Sequence, residues 1–191
     1  MLKILFVSAL FMSSAYGAER FIVAPVAEAR PEFAPEVLVV VTDESRFAVT
    51  VPPRWSATYD TGARELIFRN GQLDGKLTIR FRESAVKERD AKEYWAKLKS
   101  SFESPEALGE PVLMAFSQRA VAYDLTWLHA SGLKRAARCA LVEVRGTEIE
   151  FELTTSAPDF QAQLATMMHV MAKMRVAAAD ERVEIPFRGV E

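Results

Sequence analysis

Residues 134–154 read KRAARCALVEVRGTEIEFELT, and the reading of this stretch decides the fold. Ile149, Phe151 and Leu153 alternate with Glu148, Glu150 and Glu152, the period of two that sends successive side chains to opposite faces of a strand. Arg145-Gly146 breaks the pattern with a dipeptide suited to a tight reversal. Lys134 to Val144 and Thr147 to Thr154 therefore form a β-hairpin, with Ile149, Phe151 and Leu153 turned inward. The glutamates of the other face, with Glu143 near them, raise two chemistries: a calcium site, or a carboxylate pair for glycoside cleavage. Their regular steps of about 7 Å spread the charges along the strand and do not converge them on one ion. The expectation is a solvated sheet face, and truncating Glu150 is expected to change stability little, whereas Phe151→Ala or Leu98→Ala should cost roughly 2–5 kcal/mol.

Further strands lie on both sides of the hairpin. Val112 to Gln118 and Arg119 to Leu128 precede it, the latter with Val121, Tyr123, Leu125 and Trp127 on one face. Earlier in the chain Leu66 and Phe68 alternate with polar neighbours, Asn70-Gly71 and Asp74-Gly75 offer left-handed backbone positions for a reversal, and Leu77, Ile79 and Phe81 alternate with Lys76, Arg80 and Arg82. If this basic stripe neighbours the acidic one, the two pair across the ladder. Val37 to Thr42 and Phe47 to Val51 give another strand pair around Asp43-Glu44-Ser45, ended by Pro52-Pro53. The segment 18–35 holds Pro25, Pro31 and Pro35 and reads as an extended arm.

Two stretches change period. Ala91, Tyr94, Trp95, Leu98 and Phe102 form one helical stripe, with Asp90 as a cap. Phe160, Leu164, Met167, Met168, Met171 and Met174 form another, opened by Ser156 or Ala157 at the cap with Pro158 near the first helical position. The four methionines read as a core-facing stripe, since a copper site would need convergent polar surroundings. Residues 177–191 read as a tail, with Val183 to Phe187 a short edge strand.

The amino terminus names a compartment. Lys3, the apolar run Ile4 to Met12 and the small residues Ser13 to Ala18 have the order of a secretory signal, cut after Gly17; the apolar run falls well short of the roughly 20 residues that span a bilayer. Ala18 in place of cysteine argues against lipidation at the cut. An exported protein, periplasmic or extracellular, is expected, with no membrane insertion after cleavage. Loss of Lys3 takes the charge from −2 to −3, which gives no electrostatic attraction for nucleic acid. The one cysteine, Cys139, cannot form an internal disulfide and reads as a buried hydrophobe in an apolar strand.

Recognisable catalytic motifs are missing. The chain carries only His129, in a Leu-His-Ala-Ser-Gly turn, and His169, on the polar side of the last helix. It has no nucleophile elbow, phosphate-binding glycine loop, paired-cysteine zinc spacing or His-Glu-x-x-His. No catalytic residue, no metal and no cofactor is expected. The remaining candidate is an aromatic contact site, Trp55 with Tyr59, placed on a loop after the proline pair; the competing reading has Trp55 folding back to plug the core.

Two stretches resemble the PsbP-like α/β/α sandwich superfamily: FAVTVPPRW at 47–55, like that family's opening strand, and the run from Ala122 to Val176, ending in TTSAPDFQAQLATMMHVMAKMRV, like its closing hairpin and last helix. The resemblance spans residues 36–176. It implies an α+β fold, a mainly antiparallel sheet of about six to eight strands with helices packed on it, in one domain over 36–176. It also implies an accessory or binding protein, as the extrinsic subunit of photosystem II is, and not an enzyme. A protein partner is expected, of unknown identity; the alternatives are a carrier of a small apolar ligand between sheet and helices, or an enzyme with an unrecognised site.

Overall fold

The computed structural model describes residues 21–25, 36–42, 45–83, 91–114 and 120–177. The signal segment 1–17, most of the 18–35 arm, Asp43 and Glu44, the Asp90 cap, residues 115–118 and the tail beyond Ala177 lie outside the described residues.

In chain order the strands are β1 (Ile22–Pro25), β2 (Val37–Val41), β3 (Arg46–Thr50), β4 (Trp55–Asp60), β5 (Glu65–Asn70) and β6 (Gly75–Glu83). Helix α1 (Ala91–Ser101) follows, then β7 (Glu106–Ala107), β8 (Val112–Met114), β9 (Ala120–Leu128), β10 (Lys134–Val144) and β11 (Thr147–Ser156), and finally α2 (Phe160–Lys173) and β12 (Arg175–Val176). A small sheet runs β1-β2-β3-β12 and a large one β4-β5-β6-β11-β10-β9, with β7 and β8 both paired to β9. Every pairing is antiparallel.

The β10–β11 hairpin closes as its sequence predicts. Arg145 and Gly146 have φ of 50° and 78°, the pair of positive values that a type I′ reversal requires, and Val144 stands opposite Thr147. The charge stripes also become neighbours: β6 pairs with β11, setting Arg80 opposite Glu150 and Arg82 opposite Glu148.

One face of the large sheet packs on the small sheet and α2, in a cluster that includes Phe47, Phe68, Ile79, Phe81, Phe151, Leu153, Met167 and Met171. Burying each such side chain contributes about 1.5–3 kcal/mol. The other face carries α1, whose Tyr94 and Leu98 pack with Tyr123, Leu125, Ala137, Cys139 and Leu141. The large sheet is therefore covered on both faces over its centre.

Four local expectations are corrected. Ile22–Pro25, inside the segment read as an arm, pairs with Leu38–Val41; β-forming residues fill an edge strand and Pro25 closes it, where a missing N–H does little harm. Trp55 lies on no loop but opens β4. Helix α2 begins after Asp159, which makes no side-chain cap bond, and Pro158 belongs to the turn before it. Neither Gly71 nor Gly75 adopts positive φ. Gly75 serves close packing instead, since a Cβ there would stand 1.6 Å from Gln163 Oε1 on α2.

Candidate functional site

The residues beneath α1 form a charge cluster centred on β11. Lys97 reaches back from the helix and donates to both carboxylate oxygens of Glu150, at 2.9 and 3.0 Å, and the Tyr94 hydroxyl donates to Oε1 at 3.2 Å. Arg82 and Arg80 stand 3.5 and 3.8 Å from Oε2. Arg80 in turn bridges Glu65 at 2.5 Å and Glu152 at 2.7 Å. Only 4% of the Glu150 side chain is exposed, so the solvated acidic face expected from the alternation is overturned at its centre. Alternation separates two faces of a strand without saying what covers either; here α1 brings an ammonium and a hydroxyl with it.

Three groups here are displaced from their ordinary pKa values, each by its surroundings. Burial alone would push the Glu150 carboxyl up, but the hydrogen bonds and charge of Lys97, with Arg82 and Arg80 behind, hold it below the usual 4.5. Burial, with Cys139 and Glu150 nearby, pushes the Tyr94 phenol well up. Burial, with Glu152 and Glu150, does the same to the Cys139 thiol. A fixed carboxylate, phenol and thiol suit a structural ion network better than proton transfer near neutral pH, which needs a group titrating there. The two histidines stay outside it: His129 is exposed and bonded to Ser131 at 2.9 Å, and His169 is exposed on α2. Among the described residues no group of three His, Cys, Asp or Glu side chains is placed to hold a metal ion.

Trp55 and Tyr59 share a face of β4 by parity but not an environment. Trp55 is 9% exposed and belongs to the main core cluster, whereas Tyr59 is 51% exposed. The structure therefore brings no joint aromatic surface together from this pair.

A different surface does appear at the end of β9 and β10. Leu128 is 65% and Leu133 64% exposed, on either side of the turn that joins these strands, and Leu108, after β7, is 49% exposed. His129 N–H donates to the Leu133 carbonyl at 3.0 Å, which fixes the two leucines at one tip. Beside Leu128 lies a groove of about 480 Å³ bounded by Glu103, Glu106, Thr126, Trp127 and Lys134. Its Trp127 ring packs on Phe102 with centroids 4.8 Å apart, so the indole is held in place. The signal in the sequence was the apolar pair around a polar turn, where polar residues are usual.

No family model matches the chain, and no curated protein matches it. Solved structures do. The cyanobacterial PsbP of Synechocystis aligns with a TM-score of 0.58 at 14% identity, over 79% of this chain and 99% of that one. LpqN of Mycobacterium tuberculosis, described as involved in cell envelope biogenesis, gives 0.48 at 8% identity, over 83% and 92%. A Pseudomonas aeruginosa protein of unknown function gives 0.47 at 15%, over 72% and 94%. At identities this low the likeness is one of fold, and no site residue is carried across by it.

Proposed function

We propose that this chain, whose fold is PsbP-like, acts outside the cytoplasm as a non-catalytic accessory domain that holds a protein partner at the β9–β10 tip. The observation that carries the reading is the exposure of Leu128 and Leu133 at one turn beside a groove walled by a braced tryptophan. Aromatic anchors next to water-excluding apolar residues are the usual energetic centre of a protein interface. Glu103, Glu106 and Lys134 supply the polar rim that such centres have. Export is supported by the charged, apolar and small-residue order of residues 1–18. Among the described residues no helix is long and apolar enough to cross a membrane. A non-catalytic role is supported by the geometry of the Glu150 cluster, whose buried carboxylate is taken up by Lys97 and Tyr94 with Arg82 and Arg80 behind.

The test is capture from the cell-envelope fraction of the source organism, with the wild type and the Leu128→Ser/Leu133→Ser double variant as baits. Both substitutions are at exposed positions, so thermal stability should be unchanged while recovery of the partner falls at least about tenfold. Equal recovery by the two baits, or no specific protein on the wild type, contradicts the proposal.

A further inference from the structure

We propose that the cavity between α2 and the two sheets is a binding site for a small uncharged apolar molecule, the size of one aromatic ring or a short branched alkyl chain. The site is separate from the tip at β9–β10 and does not rest on the protein-partner reading. Its volume is about 150 Å³, and Phe47, Val142, Phe151, Met171, Met174 and Val176 form most of its wall.

The chemistry of that wall selects the ligand. Phe47, Val142, Phe151 and Met171 are buried hydrophobic side chains. Their strands are already paired on both sides: Phe47 faces Val40 and Val176, Val142 faces Ile149 and Ala120, and Phe151 faces Ala140 and Ile79. The ladders use the backbone polar groups, so the wall offers little to a water molecule, which needs two to four polar partners. Enclosed apolar cavities of roughly this volume take up benzene or xenon, which sets the size of guest that suits such a wall. The pocket opens to solvent on one side, and displacing poorly held water from an apolar wall favours an apolar guest.

Size and access follow from the same residues. Met171 and Met174 are flexible, polarisable walls that adapt to a ring or a branched chain and make favourable sulfur–aromatic contacts. The mouth lies at β12, only two residues long and held by Arg175 opposite Ala48 and Val176 opposite Phe47. Arg175 is exposed there and lines the pocket beside Val176. A single ring fits within the volume, next to a strand this short.

The test uses the purified protein with its methionines carrying 13C-methyl labels, titrated with toluene as the probe and followed by NMR. Saturable shifts of the Met171 and Met174 methyl signals are expected, with a Kd on the order of 1 mM. Val144→Phe and Val176→Phe each project a ring into the space, one from β10 and one from the mouth, and each should weaken binding roughly tenfold or more. The labelled spectrum reports whether each variant is folded, and Val176→Phe, on the short peripheral strand, keeps the test intact if Val144→Phe is not. The proposal is overturned if toluene gives no saturable shift at Met171 and Met174. An unchanged Kd in a folded filling variant overturns it too.

Discussion

Glu150→Ala should be among the most damaging charge removals in the large sheet, although its sequence pattern is that of a surface residue. Its carboxylate accepts from Lys97 twice and from Tyr94 once, with two guanidinium groups within 4 Å. Removing one member of a buried ion pair costs about 3–5 kcal/mol when its partner stays buried and unpaired. Here Lys97 is 30% and Arg82 46% exposed, so both recover water, and Arg80 keeps Glu65 and Glu152. The Tyr94 hydroxyl does not recover: the residue is 1% exposed, and stranding a buried donor costs about 1–3 kcal/mol. Adding the lost packing, the expected loss is about 2–3 kcal/mol, between a surface change and a core truncation. Urea unfolding at neutral pH measures it. A cycle with Tyr94→Phe then isolates the hydroxyl: that change should cost about 1 kcal/mol in the wild type and should restore about 1 kcal/mol or more once Glu150 is gone, because it removes the stranded donor. A Glu150→Ala loss below about 0.5 kcal/mol, the scale of ordinary surface changes, would refute the burial of this face.

Other expectations follow from the same geometry. Because the Glu150 pKa is lower in the folded than in the unfolded chain, its contribution is fully present above the ordinary carboxylate value of 4.5 and is lost as pH falls through the lower folded value. Acid unfolding of Glu150→Gln should lack that increment, and identical acid profiles for the two proteins would sink the argument. Trp55→Ala should cost about 3–5 kcal/mol, while Tyr59→Ala stays within about 0.5 kcal/mol, both read by urea unfolding; a reversed order would mean that the core covers the far end of β4 and not its start. Cys139, buried with its thiol pushed up, should react with iodoacetamide far more slowly in the native protein than in denaturant, and equal rates would place it at the surface.

The elements legible in the sequence are those whose signal is local. Ile149, Phe151 and Leu153 reveal their strand because period two needs no knowledge of the rest of the chain, and Arg145-Gly146 fixes the register by itself. The methionine stripe of α2 is legible for the same reason, as is the pairing of the Arg80 and Glu150 stripes once two opposite charge patterns exist. What covers the second face of the sheet is not local. A sheet with one wet face and a sheet whose polar face is closed by a helix carry the same alternation, and only the position of Tyr94 and Lys97 over Glu150 separates them. Strands β7 and β12, of two residues each, are too short to carry any period. Trp55 shows the limit at a site: the proline pair before it suggests a loop, but burying the indole outweighs that cue and draws it into the core as the first residue of β4. The tip leucines escaped because two apolar residues flanking a turn form no repeat, so the one cue they leave, apolar side chains where polar ones are usual, is weak.

Site-resolved photo-crosslinking tests the central claim, a protein partner seated at the β9–β10 tip, most directly. A photoreactive side chain placed at Leu133, at Tyr59 and at His169 in turn, three exposed positions on different parts of the fold, is irradiated in the intact envelope. The account predicts one discrete partner adduct at position 133 and none at 59 or 169. An adduct at 59 or 169 with none at 133, or equal adducts at all three, would contradict it.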